Sequence, residues 1–140
     1  MNADLKRIVF ILSVTTLMIS CREEIIEPGN LIGKINEPVQ LRENNSYMFL
    51  LNAENLTMDM SVPLYLNSIR TRFSIKLIGY ESGYTSVAVQ DNHDMEKFSY
   101  FINREISYYT ELLDGYVPAT IKIRTNEFTG QIQIEFRKTL

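Results

Sequence analysis

The sequence predicts an α+β fold, a mainly antiparallel β-sheet with one amphipathic helix packed on it. Two observations carry this. Apolar and polar residues alternate with a period of two before residue 90 and again after residue 120, as in strands with one wet face. Between them, over residues 94–114, apolar residues recur at steps of three and four, as on one face of a helix. The alternative is an all-β sandwich, which follows if residues 94–114 form two strands instead.

The first strand signal is Val39, Gln40, Leu41 and Arg42, followed by a turn at Glu43, Asn44 and Asn45. Residues 46–51 are almost wholly apolar and predict a strand buried on both faces or nearly so. A turn at 52–55 leads to a second alternation, with Leu56, Met58 and Met60 on one side. Pro63, Asn67 and Ser68 mark a loop or crossover around Leu64, Tyr65 and Leu66.

The clearest strand comes next. Arg70, Arg72, Ser74 and Lys76 alternate with Thr71, Phe73, Ile75 and Leu77, giving a charged face and a core face. Gly79, Glu81, Ser82 and Gly83 predict a turn, and residues 84–90 return with Val87 and Val89 inward, as a hairpin.

The helix expectation rests on Met95, Phe98, Phe101, Ile102, Ile106, Tyr109, Leu112 and Leu113 on one stripe. Lys97, Tyr100, Asn103, Arg104, Ser107, Glu111 and Asp114 fill the other. Asp91, Asn92 or Asp94 would cap its start, and Gly115 and Pro118 would stop it. The competing pair of strands, 98–102 and 106–113, has the β propensity of Phe, Tyr, Ile and Thr in its favour. A closing hairpin is predicted from residues 120–124 and 131–137, joined at 126–130, with Ile121, Ile123, Ile132, Ile134 and Phe136 inward.

At 140 residues there is room for one domain and one core. The expected organisation is a signal segment at 1–20, a tether at 21–36 and a globular β-rich domain at 37–140. The net charge is −3, and −4 without Asp4, Lys6 and Arg7. With no cluster of Lys and Arg, nucleic acid is not an expected partner, because neutralising phosphates needs concentrated positive charge. With a single cysteine, no disulfide can form within the chain.

That cysteine is Cys21. Lys6 and Arg7 precede an apolar run over residues 8–18, then Ile19, Ser20 and Cys21, which is the layout of a secretory signal peptide. The run is about half the 20 residues needed to span a membrane. The segment resembles the signal of bacterial lipoproteins, which are cut before a cysteine whose sulfur carries a diacylglycerol. Met18 and Ile19 depart from the family's usual leucine and small residue; Ser20 fits. The resemblance covers the address segment alone. It implies lipid attachment at Cys21 and membrane association through that lipid, two or more acyl chains giving a stable anchor. Arg22, Glu23 and Glu24 are similar to the short charged tags that direct some lipoproteins to the surface of the outer membrane. The expected location is the bacterial outer membrane, with a periplasm-facing or secreted protein as the alternative.

No catalytic motif emerges, and no cofactor is expected. His93 lies among Asp91, Asn92, Asp94 and Glu96 but lacks the spacing of an EF-hand, so a loop with a helix cap is the plainer expectation and no metal ligand is assigned. A small envelope hydrolase using His93 and nearby acids is the alternative to a non-enzymatic binding or structural role. For binding an envelope protein or a glycan, the candidates are Tyr80, Tyr84, Tyr100, Tyr108 and Tyr116, since exposed tyrosines give broad contact at low entropy cost.

Overall fold

Every regular element of the computed structural model, which describes residues 33–139, is a β-strand. The strands are β1 (Val39–Glu43), β2 (Ser46–Pro63), β3 (Arg70–Gln90), β4 (Glu96–Ile102), β5 (Ile106–Asp114) and β6 (Thr120–Lys138). They form one antiparallel sheet in the order β1-β2-β6-β3-β4. β5 also pairs with β3, along its first half, while β4 pairs along its second half.

Three strands are long, and their register slips along one line. The slips fall at Ala53–Met58 in β2, at Ile78–Tyr84 in β3, and at the residues of β6 opposite both. Asn55, Gly79, Gly83, Glu127 and Gly130 have positive φ there. Bulges bend a strand and sharpen its twist. The bend creates two half-sheets. The first holds β1, β5 and residues 46–53, 70–78 and 130–138; the second holds β4 and residues 56–63, 84–90 and 120–128.

The half-sheets face one another across a single core. Phe73 of the first meets Phe98 of the second with ring centroids 5.0 Å apart, and Tyr100 stacks on Tyr109 at 4.3 Å. Tyr47, Phe49 and Leu51 of β2 alternate inward beside Phe73, Ile75 and Leu77 of β3 and Ile132, Ile134 and Phe136 of β6. Val62, Val87, Val89, Ile121 and Ile123 close the core from the other side. Full burial of each such side chain stabilises by about 1.5–3 kcal/mol. The inward residues of β3 and β6 named above are those the alternation points to, whereas in β2 the almost wholly apolar residues 46–51 bury Leu50 as well as Tyr47, Phe49 and Leu51.

The α+β expectation is corrected: among the described residues there is no helix, and the fold is all-β. Residues 94–114 form β4 and β5. Phe98, Tyr100 and Ile102 point inward at steps of two, the turn to Ile106 adds a step of four, and an extra residue in β5 opposite Ile75–Leu77 adds a step of three to Tyr109. A period-two pattern interrupted twice thus imitates a helical one. Met95, Phe101 and Leu112 of the expected buried stripe are exposed, and Tyr100 of the expected outer stripe is turned inward.

The expected turns at 52–55, 79–83 and 126–130 are corrected as well. Each is a bulge inside a continuous strand, so neither hairpin exists. The strand at 39–42, its following turn and the crossover near Leu64–Leu66 are present, with Leu64 and Leu66 buried. Asn36 ties the residues before β1 to the bulge of β2. Its backbone N–H donates to the Asn52 carbonyl at 2.7 Å, its amide donates to the Glu54 carbonyl at 3.0 Å, and its Oδ1 accepts from the Glu54 N–H at 2.8 Å. The predicted signal segment, Cys21 and the charged tag lie outside the described residues.

Candidate binding face

The outer surface of the second half-sheet brings polar and aromatic side chains into one row. Strand pairing sets Asp59 beside Arg124, Arg124 beside Ser86, and Ser86 beside Phe101. Period-two alternation turns all four away from the core, whose neighbours Thr85, Val87, Ile102, Ile123 and Thr125 are buried. Tyr84 lies one outward position before Ser86 and pairs with Asn126. Its ring packs against Phe101, with centroids 5.2 Å apart and planes inclined by 33°.

An open depression of about 440 Å³ lies on this face, with Thr57, Asp59, Tyr84, Ser86, Arg124 and Asn126 on its walls, and Phe101 stands at its edge against Tyr84. Arg124 Nε donates to Asp59 Oδ2 at 2.8 Å, and both side chains are more than half exposed. An exposed pair of this kind contributes only about 0.2–1 kcal/mol to folding. Its donors and acceptors remain within reach of a ligand.

The end of the depression at the bend is fixed by the bulges. The Glu127 N–H donates to Thr57 Oγ1 at 3.0 Å, and Thr125 Oγ1 donates to the Leu56 carbonyl at 2.9 Å. Gly83 lets the chain pass close to the backbone of Asn126 and Glu127 with φ +75°, and so sets the position of Tyr84 next to it.

Of the five candidate tyrosines, only Tyr84 stands on this face. Tyr80 is half-buried at the bend, its hydroxyl donating to the Gly83 carbonyl at 2.9 Å. Tyr100 is stacked between the half-sheets. Tyr108 is exposed on β5, which belongs to the opposite half-sheet. Tyr116 is half-buried, with no hydrogen-bond partner for its buried hydroxyl. Burial pushes that hydroxyl's pKa up, and the Glu111 carboxylate adds to the effect. The strands therefore scatter the tyrosines.

Sequence reasoning missed Asp59, Ser86, Phe101 and Arg124 as a group. A signal was available for Asp59, Ser86 and Arg124, which alternate with core residues in their strands. Phe101 was hidden by the helical reading, which placed it inside. Another exposed aromatic, Tyr65, lies under the Arg42 guanidinium at 5.2 Å, and Arg42 also donates to the Pro63 carbonyl at 3.0 Å.

His93 points into solvent at the β3–β4 turn, its side chain 84% exposed. The working residue of that turn is Asp91. Its Oδ1 accepts from the N–H groups of His93 at 2.8 Å and Met95 at 3.1 Å, and its Oδ2 meets Lys97 Nζ at 3.3 Å. Burial raises the pKa of this carboxyl, but the two N–H groups and the ammonium outweigh it and hold it below the usual carboxylate range. The expected helix cap is thus a turn clip. Among the described residues no group of three or more His, Cys, Asp or Glu could hold a metal, and no helix is long and apolar enough to cross a membrane.

The fold and this face define an all-β domain with a mixed aromatic and polar surface. No protein-family profile matches the chain, and no curated protein matches it. Among solved structures it is similar to the enzymatically active domain of tailspike protein 4 of bacteriophage CBA120, at 10% identity and a TM-score of 0.40. That likeness covers 75% of this chain and 18% of the tailspike chain. At this TM-score it bears on neither fold nor function.

Proposed function

We propose that this protein is a lipoprotein of the bacterial outer membrane, anchored through lipid on Cys21, with a non-enzymatic binding role at the cell envelope. The anchor reading rests on the charged start, the short apolar run and the sole cysteine at its end. The binding reading rests on one observation, the exposed Tyr84–Phe101 pair beside the Asp59–Arg124 pair. Aromatic rings left in water next to unspent donors and acceptors suit contact with a partner better than folding.

The test is capture from detergent-solubilised membranes with the full chain as bait. A component retained by the natural chain is expected to be lost with Tyr84→Ala combined with Phe101→Ala. It should stay with Tyr65→Ala and with Tyr108→Ala, which remove still more exposed rings elsewhere. Equal capture by all four baits would contradict the assignment of the face.

A further inference from the structure

We propose that the depression on the second half-sheet is a carbohydrate subsite, in which a sugar ring stacks on the Tyr84–Phe101 pair and its hydroxyls bond to the Arg124–Asp59 pair. The proposal rests on the binding-face reading and names its ligand class.

A pyranose has two chemically different sides. Its axial C–H groups make an apolar patch that packs on an aromatic ring, and its equatorial hydroxyls each donate and accept. The row Phe101, Ser86, Arg124, Asp59 offers both, in order, across four paired strands. Three inter-strand steps of about 4.8 Å each separate Phe101 from Asp59, room for a short oligosaccharide laid across the strands. Arg124 can only donate and Asp59 can only accept, while Ser86, Thr57 and Asn126 do both. Such a set satisfies a ring of hydroxyls without leaving donors or acceptors idle.

Charge and area argue against the other ligand classes. The Arg124 and Asp59 charges cancel as a pair, so the site favours a neutral ligand over a phosphate or a carboxylate. The net charge of −3 points the same way. A protein partner needs roughly 800 Å² per side with an apolar centre. Here the apolar part is essentially two rings, and the polar row would be desolvated by a protein surface.

The experiment is calorimetric titration of the full chain, in detergent, with maltohexaose, cellohexaose, xylohexaose, mannohexaose and chitohexaose. At least one is expected to bind. Tyr84→Ala and Arg124→Ala should each weaken it by roughly tenfold or more, the equivalent of about 1.4 kcal/mol. Tyr84→Phe should keep the affinity, since the stacking face is retained, and Tyr108→Ala should leave it unchanged. Phe101→Ala, at a 57% exposed position, repeats the test without touching the bend. Failure of all five sugars, or binding that survives Tyr84→Ala, would overturn the proposal. If the sugars fail while membrane capture still depends on Tyr84 and Phe101, the binding face stands and the carbohydrate assignment falls.

Discussion

Tyr47 is wholly buried on the first half-sheet, where its ring packs near Phe136. Burial pushes its hydroxyl up to about 12, against the opposing pull of the Arg42 guanidinium. The folded protein therefore holds this proton more tightly than the unfolded chain, whose tyrosines titrate near pH 10. The stabilisation is complete below pH 10 and is lost as pH rises from 10 towards 12, about 2–3 kcal/mol for a shift of this size. Tyr47→Phe removes the titrating group and should flatten the fall in melting temperature over that range. Tyr109 and Tyr116 are also raised and will leave a smaller slope behind. An unchanged slope in Tyr47→Phe would show that Tyr47 ionises without unfolding the domain.

The central elements of this fold, β2, β3 and β6, are long strands that bend, and the bend is where sequence and structure part company. Gly83 has φ +75°, and a methyl group there would meet the backbone of Asn126 and Glu127. Gly79 has φ +62° with open space around it. Alanine at Gly79 should therefore cost only the left-handed conformation, about 1–2 kcal/mol. Alanine at Gly83 should cost a further 1–3 kcal/mol or so from overpacking against backbone. Denaturant midpoints of the two variants measure the difference, and equal midpoints would contradict the close approach at Gly83.

The same glycines explain what was legible. Glycine and asparagine clusters mark departures from regular strand geometry, and a turn and a bulge use them alike. Gly79 and Gly83 read as a hairpin because sequence cannot say whether the chain reverses or continues. The alternation of Phe73, Ile75 and Leu77, or of Ile132, Ile134 and Phe136, is unaffected by that choice, so the core faces were readable. In β4 and β5 the period was masked by one turn and one extra residue, and Phe101 was assigned to the wrong side. Of the candidate face only Tyr84 was singled out: alternation marks Asp59, Ser86 and Arg124 as outward one by one, but their meeting across β2, β6 and β3 beside Phe101 of β4 depends on pairings that no local pattern encodes.

For the whole molecule, one core supports the described domain, and the proposed membrane attachment lies on a residue outside it. If Cys21 carries the lipid, Cys21→Ser should abolish incorporation of labelled palmitate, since the chain has no other thiol. It should leave unprocessed precursor or release soluble protein. Label persisting in Cys21→Ser would exclude the assignment. Protease added to intact cells should degrade the natural protein, and alanine at Arg22, Glu23 and Glu24 should protect it if those residues direct it outward. Degradation of both forms alike would reduce the tag to a tether.

The proposed function places the partner on the outer surface of the second half-sheet. Hydroxyl-radical footprinting of the full chain, with and without an isolated envelope fraction, reads this directly at four exposed aromatic side chains. Oxidation of Tyr84 and Phe101 is predicted to fall when the envelope fraction is present, while oxidation of Tyr65 and Tyr108 holds. Protection of Tyr108 or Tyr65 with Tyr84 and Phe101 unchanged would place the contact elsewhere and contradict the claim.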